Sequence, residues 1–329
     1  MTMMDLVDKL PQQLTEALAI GEAATLPKTN RTISNIVVSG LGGSGIGANM
    51  VYDLLGSQIT VPFTVNKDYG IPAFVNENTL FIACSYSGNT EETLSALQLA
   101  MEKGALITSI TSGGKLATLA EEHSFGCIKI PGGMPPRACL GYSLVQQMFT
   151  LNHFGIVNNS FVDEIEDAIE LLSEKKEEIK SYSKQIASEL KDKTPVLYVP
   201  DGYEALAVRW RQQINENSKM LCWHHVLPEM THNEILGWRF ESDNIAPIFF
   251  DTDTVNPRTR KRIELTKQVV EKYVPNIYEM DVNGGSKIVK TLYWNYIGDW
   301  LSVYLAEERG VVAIEIDVIN YLKGELAKL

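Results

Sequence analysis

No run of about 18 or more apolar residues occurs in the sequence, which argues against a membrane-spanning helix. Cysteine is scarce: Cys84, Cys127, Cys139 and Cys222 are widely spaced and lie in or beside apolar stretches. No disulfide framework is implied, and the placement fits buried thiols in a reducing compartment. Basic residues are outnumbered, 29 Lys and Arg against 41 Asp and Glu, for a formal charge of -12. That sign opposes non-specific binding of nucleic acid or an anionic membrane surface. It leaves room for a small anionic ligand, because a local cradle of N–H groups with one or two cations can oppose the global field. The opening stretch "MTMMDLVDKLPQQLTEALAI" lacks the basic-then-apolar layout of a secretory signal. It reads as one amphipathic helix, and a cytoplasmic location is expected.

What the sequence does have is length and alternation. Its 329 residues, 45% of them hydrophobic, suffice for one large or two medium α/β domains. Apolar, β-branched runs ("TISNIVVSG", "VPFTVN", "TLFIACS", "ALITSIT", "FGCIKIP") alternate with helical patterns such as "TEETLSALQLAMEK" and "ACLGYSLVQQMFTLNHFG". This rhythm predicts a parallel sheet with crossover helices over residues 1–156, led by the first helix. Residues 157–193 are charged, helical in period and read as a helical connector. A second alternation, with strands "PVLYVP", "LCWHHVLPEM", "NIAPIFF" and "NIYEMDV", predicts a similar lobe over 194–329 ending in two helices. No internal sequence repeat is evident.

Two turns in the first lobe carry ligand-binding signals. Gly40, Gly42 and Gly45 satisfy G-x-G-x-x-G between a strand and a helix, as at a dinucleotide site. The acidic residue such a site wants at the end of the next strand is misplaced, since "VPFTVNKDYG" ends its strand near Asn66. A tight turn that needs glycine for its backbone angles explains the pattern equally well. The second turn, "SYSGNT", sets Ser85, Ser87, Asn89 and Thr90 between a buried strand and the helix "EETLSALQLA". Hydroxyls and unsatisfied helix N–H groups converge there, which suits one phosphate. Simple N-capping would need one of those side chains, not four.

Together "GLGGSGIG" and "SYSGNTEET" resemble the sugar isomerase (SIS) domain, a flavodoxin-like module that binds phosphosugars. With "PPRACLGYS", "NENSK" and "PEMTHNE" the resemblance narrows to the bifunctional phosphoglucose/phosphomannose isomerase family, from about Ser34 to the end. It implies an α/β fold of two flavodoxin-like SIS lobes, each a parallel sheet flanked by helices. It also implies cofactor-free, metal-free interconversion of glucose 6-phosphate and mannose 6-phosphate with fructose 6-phosphate, a step of glycolysis and gluconeogenesis. A homodimer with a shared active site is expected on the same ground. In the family pattern, Gly43 and Ser44 contact the sugar while Ser85, Ser87 and Thr90 hold the phosphate.

Aldose–ketose conversion requires ring opening, removal of a proton from C2, stabilisation of an enediolate and return of the proton to C1. A partly buried carboxylate suits the proton shuttle. By resemblance that base is Glu216 in "RQQINENSK"; the residues alone would favour a helix-end acid paired with Lys219 three residues on. His232 in "PEMTHNE" would handle ring opening, reaching a site across a subunit boundary. Arg137, after two prolines, would stabilise the enediolate oxygens, worth about 3 to 4 kcal/mol for a preorganised donor. Lys323 in "INYLKGEL" matches the family's C-terminal lysine, a second candidate for ring opening. Past "RGV" the sequence departs from the family's "DPT", reading Val312, Ala313, Ile314 with Ile316 close behind. No hydroxyl stands where the family has one that accommodates both epimers, so mannose 6-phosphate turnover is the less secure expectation.

His224, His225, Glu229 and His232 raise a metal reading, but adjacent histidines on a strand point to opposite faces and no H-x₃-H pair is present. A non-catalytic phosphosugar sensor is a second alternative, although the acidic N-terminal helix offers no basic recognition element; an isomerase of another phosphosugar and an aminotransferring relative are the others.

Overall fold

The computed structural model describes residues 1–326 and Lys328. In chain order the helices and strands are α1 (Met3–Asp8), α2 (Leu10–Ala23), β1 (Asn35–Ser39), α3 (Gly42–Leu55), β2 (Phe63–Asn66), β3 (Thr79–Cys84) and α4 (Glu91–Glu102). They continue with β4 (Leu106–Thr111), α5 (Gly114–His123), β5 (Gly126–Lys129), α6 (Leu140–His153), α7 (Phe161–Glu174), α8 (Lys176–Leu190) and β6 (Thr194–Pro200). The remainder are α9 (Glu204–Ser218), β7 (Trp223–Leu227), β8 (Ile245–Thr252), α10 (Pro257–Val270), β9 (Tyr278–Val282), α11 (Lys287–Glu308) and α12 (Asp317–Leu326).

Two compact units result. One holds Lys9–Ser173 with Ser286–Val289; the other holds Met1–Asp8, Glu174–Gly285 and Lys290–Leu329. The leading segment was expected as one helix but forms two, α1 and α2, which fall in different units. Pro11 stands in the first turn of α2, where its missing N–H is harmless; carried inside a continuous helix it would remove a hydrogen bond and clash with the preceding turn. Segment 157–193 comprises α7 and α8.

The first unit carries five parallel strands in the order β2-β1-β3-β4-β5. Every residue of β1 and β3 is buried, as parallel strands covered on both faces must be, and their sequences "NIVVS" and "TLFIAC" read as unbroken apolar runs rather than alternations. Val37, Phe81, Ala83, Ala96, Leu97 and Leu116 form the core on one face. In this strand order the direction of winding reverses between β1 and β3. The loops leaving those two strands therefore diverge and open a crevice at the carboxyl edge of the sheet.

The second unit has four parallel strands in the order β7-β6-β8-β9, so β6 and β8 occupy the matching central places. Tyr198 stacks on Phe249 with centroids 4.9 Å apart, and its hydroxyl donates to Glu234 Oε1 at 2.6 Å while accepting from Trp238 Nε1 at 3.0 Å. Deeper in, the buried Asp299 accepts from Arg209 Nη2 at 3.0 and 3.1 Å, from Gln213 Nε2 at 2.7 Å and from Asn295 Nδ2 at 3.2 Å. Helices α9 and α11 are locked together by this polar knot. Such a pair, once buried, cannot lose one member cheaply. Asp299→Ala should destabilise the protein by about 3 to 5 kcal/mol, read as a lowered midpoint in urea with unchanged slope.

Candidate active site

At the carboxyl edge of the five-stranded sheet, the turn between β3 and α4 gathers the hydroxyls of Ser85, Ser87 and Thr90 at the start of a helix, the candidate anion cradle. Thr90 is the N-cap residue of α4, yet its side chain makes no capping bond and lies 2.8 Å from Ser85 Oγ. The backbone N–H of Gly88 donates to Ser85 Oγ at 3.1 Å, and that of Asn89 donates to Ser87 Oγ at 3.2 Å. Each serine oxygen thus has one lone pair occupied by a backbone N–H. The Ser85–Thr90 pair spends one O–H between themselves and keeps the other for a ligand. The first N–H groups of α4, which no helical carbonyl can satisfy, lie beside these hydroxyls. Capping alone does not account for this arrangement.

The cradle is welded to its neighbour. Leu116 N donates to Gly88 O at 2.9 Å and Lys115 N to Asn89 Oδ1 at 3.1 Å, so two of the first N–H groups of α5 hold the loop. Gly88 has φ +68°, and a Cβ there would sit 1.8 Å from Gly113 O. Only glycine fits.

The first glycine turn lies alongside. A Cβ on Gly40 would meet Cys84 O at 2.8 Å, and one on Gly45 would meet Gly40 O at 2.3 Å, so these glycines serve close backbone packing across the β1–β3 crevice. At the end of β2 stands Asn66, whose side-chain amide donates to the carbonyls of Asp68 and Gly70 within its own turn. The carboxylate of a ribose-binding site is missing there, which favours the tight-turn reading over the dinucleotide one. Gly43 faces the Arg137 bend, since a Cβ would be 3.0 Å from Pro136 O. Ser44, 7% exposed, follows in the first turn of α3.

Arg137 sits in a short 3-10 turn, Pro136–Ala138, and is only 5% exposed. The bend is clasped from two sides. Buried Gln13 of α2 donates to Ala138 O at 2.8 Å and accepts from Gly141 N at 2.7 Å. Tyr86, between the two cradle serines, accepts from Met134 N at 3.1 Å and bonds the Cys139 side chain. Gly43, Ser44, Ser85, Ser87, Thr90 and Arg137 are thus brought to one edge of one sheet. Gln13 and Tyr86 were not singled out from the sequence; Tyr86's place between Ser85 and Ser87 was the available signal.

In the second unit, half-buried Glu216 lies two residues before the end of α9 and lines a cavity of about 380 Å³ with Asn215, Lys219, Ile316, Val318 and Ile319. The Lys219 ammonium donates to the carbonyls of Glu216, Ala313 and Glu315 at 2.6, 3.3 and 2.7 Å. Its three donors tie the segment before α12 to the end of α9. Ile316, at the position flagged by the family departure, is therefore a wall of the Glu216 cavity. Lys323 is exposed on α12, one turn beyond Ile319 on the same face.

His232 is elsewhere. It is exposed, at the end of the 3-10 turn Glu229–His232 that follows β7. Helix α9 runs back from the carboxyl ends of the strands, so Glu216 lies near where β7 begins and His232 near where β7 has ended. The five residues of β7 put roughly 15 Å between them along the strand direction. The other histidines face apart: His224 meets Arg211 Nη1 at 3.2 Å and Glu204 at 3.5 Å, whereas His225 Nδ1 is 3.9 Å from Glu234. Burial first, and then the Arg211 charge, push the His224 imidazole below its usual range. No group of three His, Cys, Asp or Glu side chains among the described residues is disposed to share an ion.

Comparison with known proteins agrees with this layout. The SIS domain family matches residues 31–156, and the bacterial phospho-glucose isomerase C-terminal SIS domain family matches residues 179–326. A bifunctional phosphoglucose/phosphomannose isomerase of Caldicellulosiruptor bescii is 36% identical over 340 residues, covering 99% of each chain. A D-glucosamine-6-phosphate 4-epimerase of Sulfolobus acidocaldarius is 32% identical, covering 89% of this chain and 92% of its own. In fold, the C-terminal domain of the Francisella tularensis glucosamine-fructose-6-phosphate aminotransferase superposes with a TM-score of 0.79 at 15% identity, covering 95% of this chain and 98% of that one. The crevice after β1 and β3, the buried arginine bend and the carboxylate at the end of α9 are therefore those of a chain that belongs to the bifunctional phosphoglucose/phosphomannose isomerase family.

Proposed function

We propose that the protein is a cofactor-free aldose–ketose isomerase that interconverts glucose 6-phosphate, and mannose 6-phosphate, with fructose 6-phosphate. The observation that carries the proposal is the Ser85–Thr90 cradle: the Thr90 side chain pairs with Ser85 instead of capping α4, which leaves the first N–H groups of the helix and the exposed Ser87 hydroxyl for one phosphate. Family membership supplies the substrate class.

The chemistry divides among the residues by type. His232 and Lys323 assist opening of the hemiacetal by moving a proton from the C1 hydroxyl to the ring oxygen. The Glu216 carboxylate then takes the C2 proton, and the electron pair left behind forms the C1–C2 double bond as the carbonyl becomes an enediolate oxygen. Arg137 offers fixed positive charge to that oxygen. Glu216 returns its proton to C1, the C2 oxygen becomes the ketone, and its proton passes to the C1 oxygen. Because the enediolate has lost the C2 stereocentre, one base serves both epimers.

The separation of Glu216 from His232 by the length of β7 supports a homodimer in which each His232 acts in the site of a second copy. A cytoplasmic protein at the step shared by glycolysis and gluconeogenesis fits this chemistry. The relative that is a 4-epimerase supplies a second reading, but proton removal at C2 leaves C4 untouched, so a coupled assay with glucosamine 6-phosphate separates the two.

Purified protein should form fructose 6-phosphate from glucose 6-phosphate at a rate unchanged by chelator; loss of activity restored by zinc would overturn the metal-free mechanism. Glu216→Gln should lower kcat by about 10²- to 10⁴-fold with phosphosugar affinity within a few-fold, as calorimetry would report. Mixing Glu216→Gln with His232→Ala subunits, each inactive alone, should restore roughly a quarter of wild-type activity if a two-fold dimer shares its sites. No recovery after verified subunit exchange would place His232 in its own chain's site. Ile316→Thr returns a hydroxyl to the Glu216 cavity and should raise the mannose to glucose 6-phosphate ratio of kcat/KM.

A further inference from the structure

Tyr86 stands at the junction of the two parts of the N-terminal unit's site. Its backbone belongs to the phosphate cradle: Ser85 and Ser87 flank it, and its carbonyl accepts from Ser112 N at 3.0 Å and Ser112 Oγ at 2.6 Å. Its hydroxyl belongs to the arginine bend. Met134, three residues before Arg137, donates its N–H to that hydroxyl at 3.1 Å, and Cys139, two residues after Arg137, bonds it through the thiol. Cys139 Sγ also reaches Pro135 O at 3.5 Å, and its N–H donates to Pro136 O at 3.1 Å, so the bend is closed on itself between those two feet. On the far side, Gln13 fixes Ala138 and Gly141. Tyr86 is half-buried; burial, and then the bond to Cys139, push its hydroxyl well above the usual phenol range. Its oxygen accepts from Met134 while the same hydroxyl is paired with the Cys139 side chain.

We infer that Tyr86 is a positioning residue that couples an occupied phosphate cradle to the placement of the Arg137 guanidinium. This rests on the isomerase reading for its catalytic consequence, though the mechanical link does not. A phosphate held by Ser85 and Ser87 immobilises the peptide between them. The tyrosine ring carries that constraint to both sides of the bend, and Arg137 is held where charge develops. Binding energy from a non-reacting group is thereby expressed in kcat rather than in KM alone. Neutral hydroxyls without this linkage would give affinity only.

Two measurements on the full-length protein test the link. The first is hydrogen exchange of the peptide spanning residues 132–141 with and without inorganic phosphate. Phosphate should slow exchange in the wild type and have little effect in Tyr86→Phe, which keeps the ring and loses the hydroxyl. No slowing in the wild type, or equal slowing in both, overturns the inference whatever the protein catalyses. The second is steady-state turnover of glucose 6-phosphate. Tyr86→Phe should lower kcat by about 10- to 100-fold, the scale of a small misplacement of a catalytic group, while KM and the inhibition constant of inorganic phosphate change less than threefold. In an Arg137→Ala background the same substitution should have no further effect on kcat. An equal loss in both backgrounds, or a change confined to KM, sinks the coupling. Cys139→Ala removes one of the two feet and should fall between wild type and Tyr86→Phe in both measurements. If the exchange link holds but the wild type does not turn over glucose 6-phosphate, the isomerase reading falls and the link stands.

Discussion

Backbone packed directly on backbone at the carboxyl edge of the five-stranded sheet is the constraint on which the phosphate site depends. Gly88 lies against the Gly113 carbonyl and Gly40 against that of Cys84, so the end of β1 packs on the end of β3, and the loop after β3 on the loop after β4, without side chains between them. Two consequences follow. The loops cannot move independently, which preorganises donors that would otherwise cost conformational entropy to align. And α5 spends two of its N-terminal donors, those of Lys115 and Leu116, on Asn89 and Gly88. The cradle is thus defined as much by which helix end is consumed as by which is left.

The sequence was legible where a single local rule decides the structure. Largely apolar runs such as "TLFIAC" gave the buried central strands, and the hydroxyl-rich "SYSGNT" gave the turn that leads into α4, because parallel pairing and helix N-terminal chemistry both act over a few residues. It was misleading at Lys9, where amphipathic period runs straight through but Pro11 restarts the helix. It was silent on tertiary clasps. Nothing local marks Gln13 as the side chain that grips a bend 125 positions away, nor predicts that Lys219, at salt-bridge spacing from Glu216, tethers the Ala313 and Glu315 carbonyls. Those roles are set by partners distant in the chain. The G-x-G-x-x-G pattern illustrates the same limit: its glycines are demanded by contacts with Cys84 and with Gly40's own carbonyl, and only the neighbouring strand end, Asn66, distinguishes packing from nucleotide binding.

Charge is distributed with the same economy. In a chain of formal charge -12, the phosphate cradle is made from hydroxyls and amides and draws on no lysine or arginine of its own loop. A dianion held by neutral donors and a helix terminus is bound without a competing full charge nearby. The Arg137 bend is fixed by groups that act on backbone and thiol atoms around it, from Gln13 on one side and Tyr86 on the other.

That separation matters for how the reaction is driven. Phosphate looks the same in the aldose, the enediolate and the ketose, so contacts to it stabilise all three equally and cannot by themselves accelerate proton transfer. A guanidinium aimed at the enediolate oxygens discriminates between them, because negative charge appears there only as the C2 proton leaves. The two kinds of binding become one device only if something rigid joins the cradle to the arginine bend. A protonated phenol spanning from Ser85–Ser87 to Met134 and Cys139 is short, directional and anchored at both ends. On the coupling we infer, it turns a uniform grip on the substrate into a condition on where the discriminating charge is held.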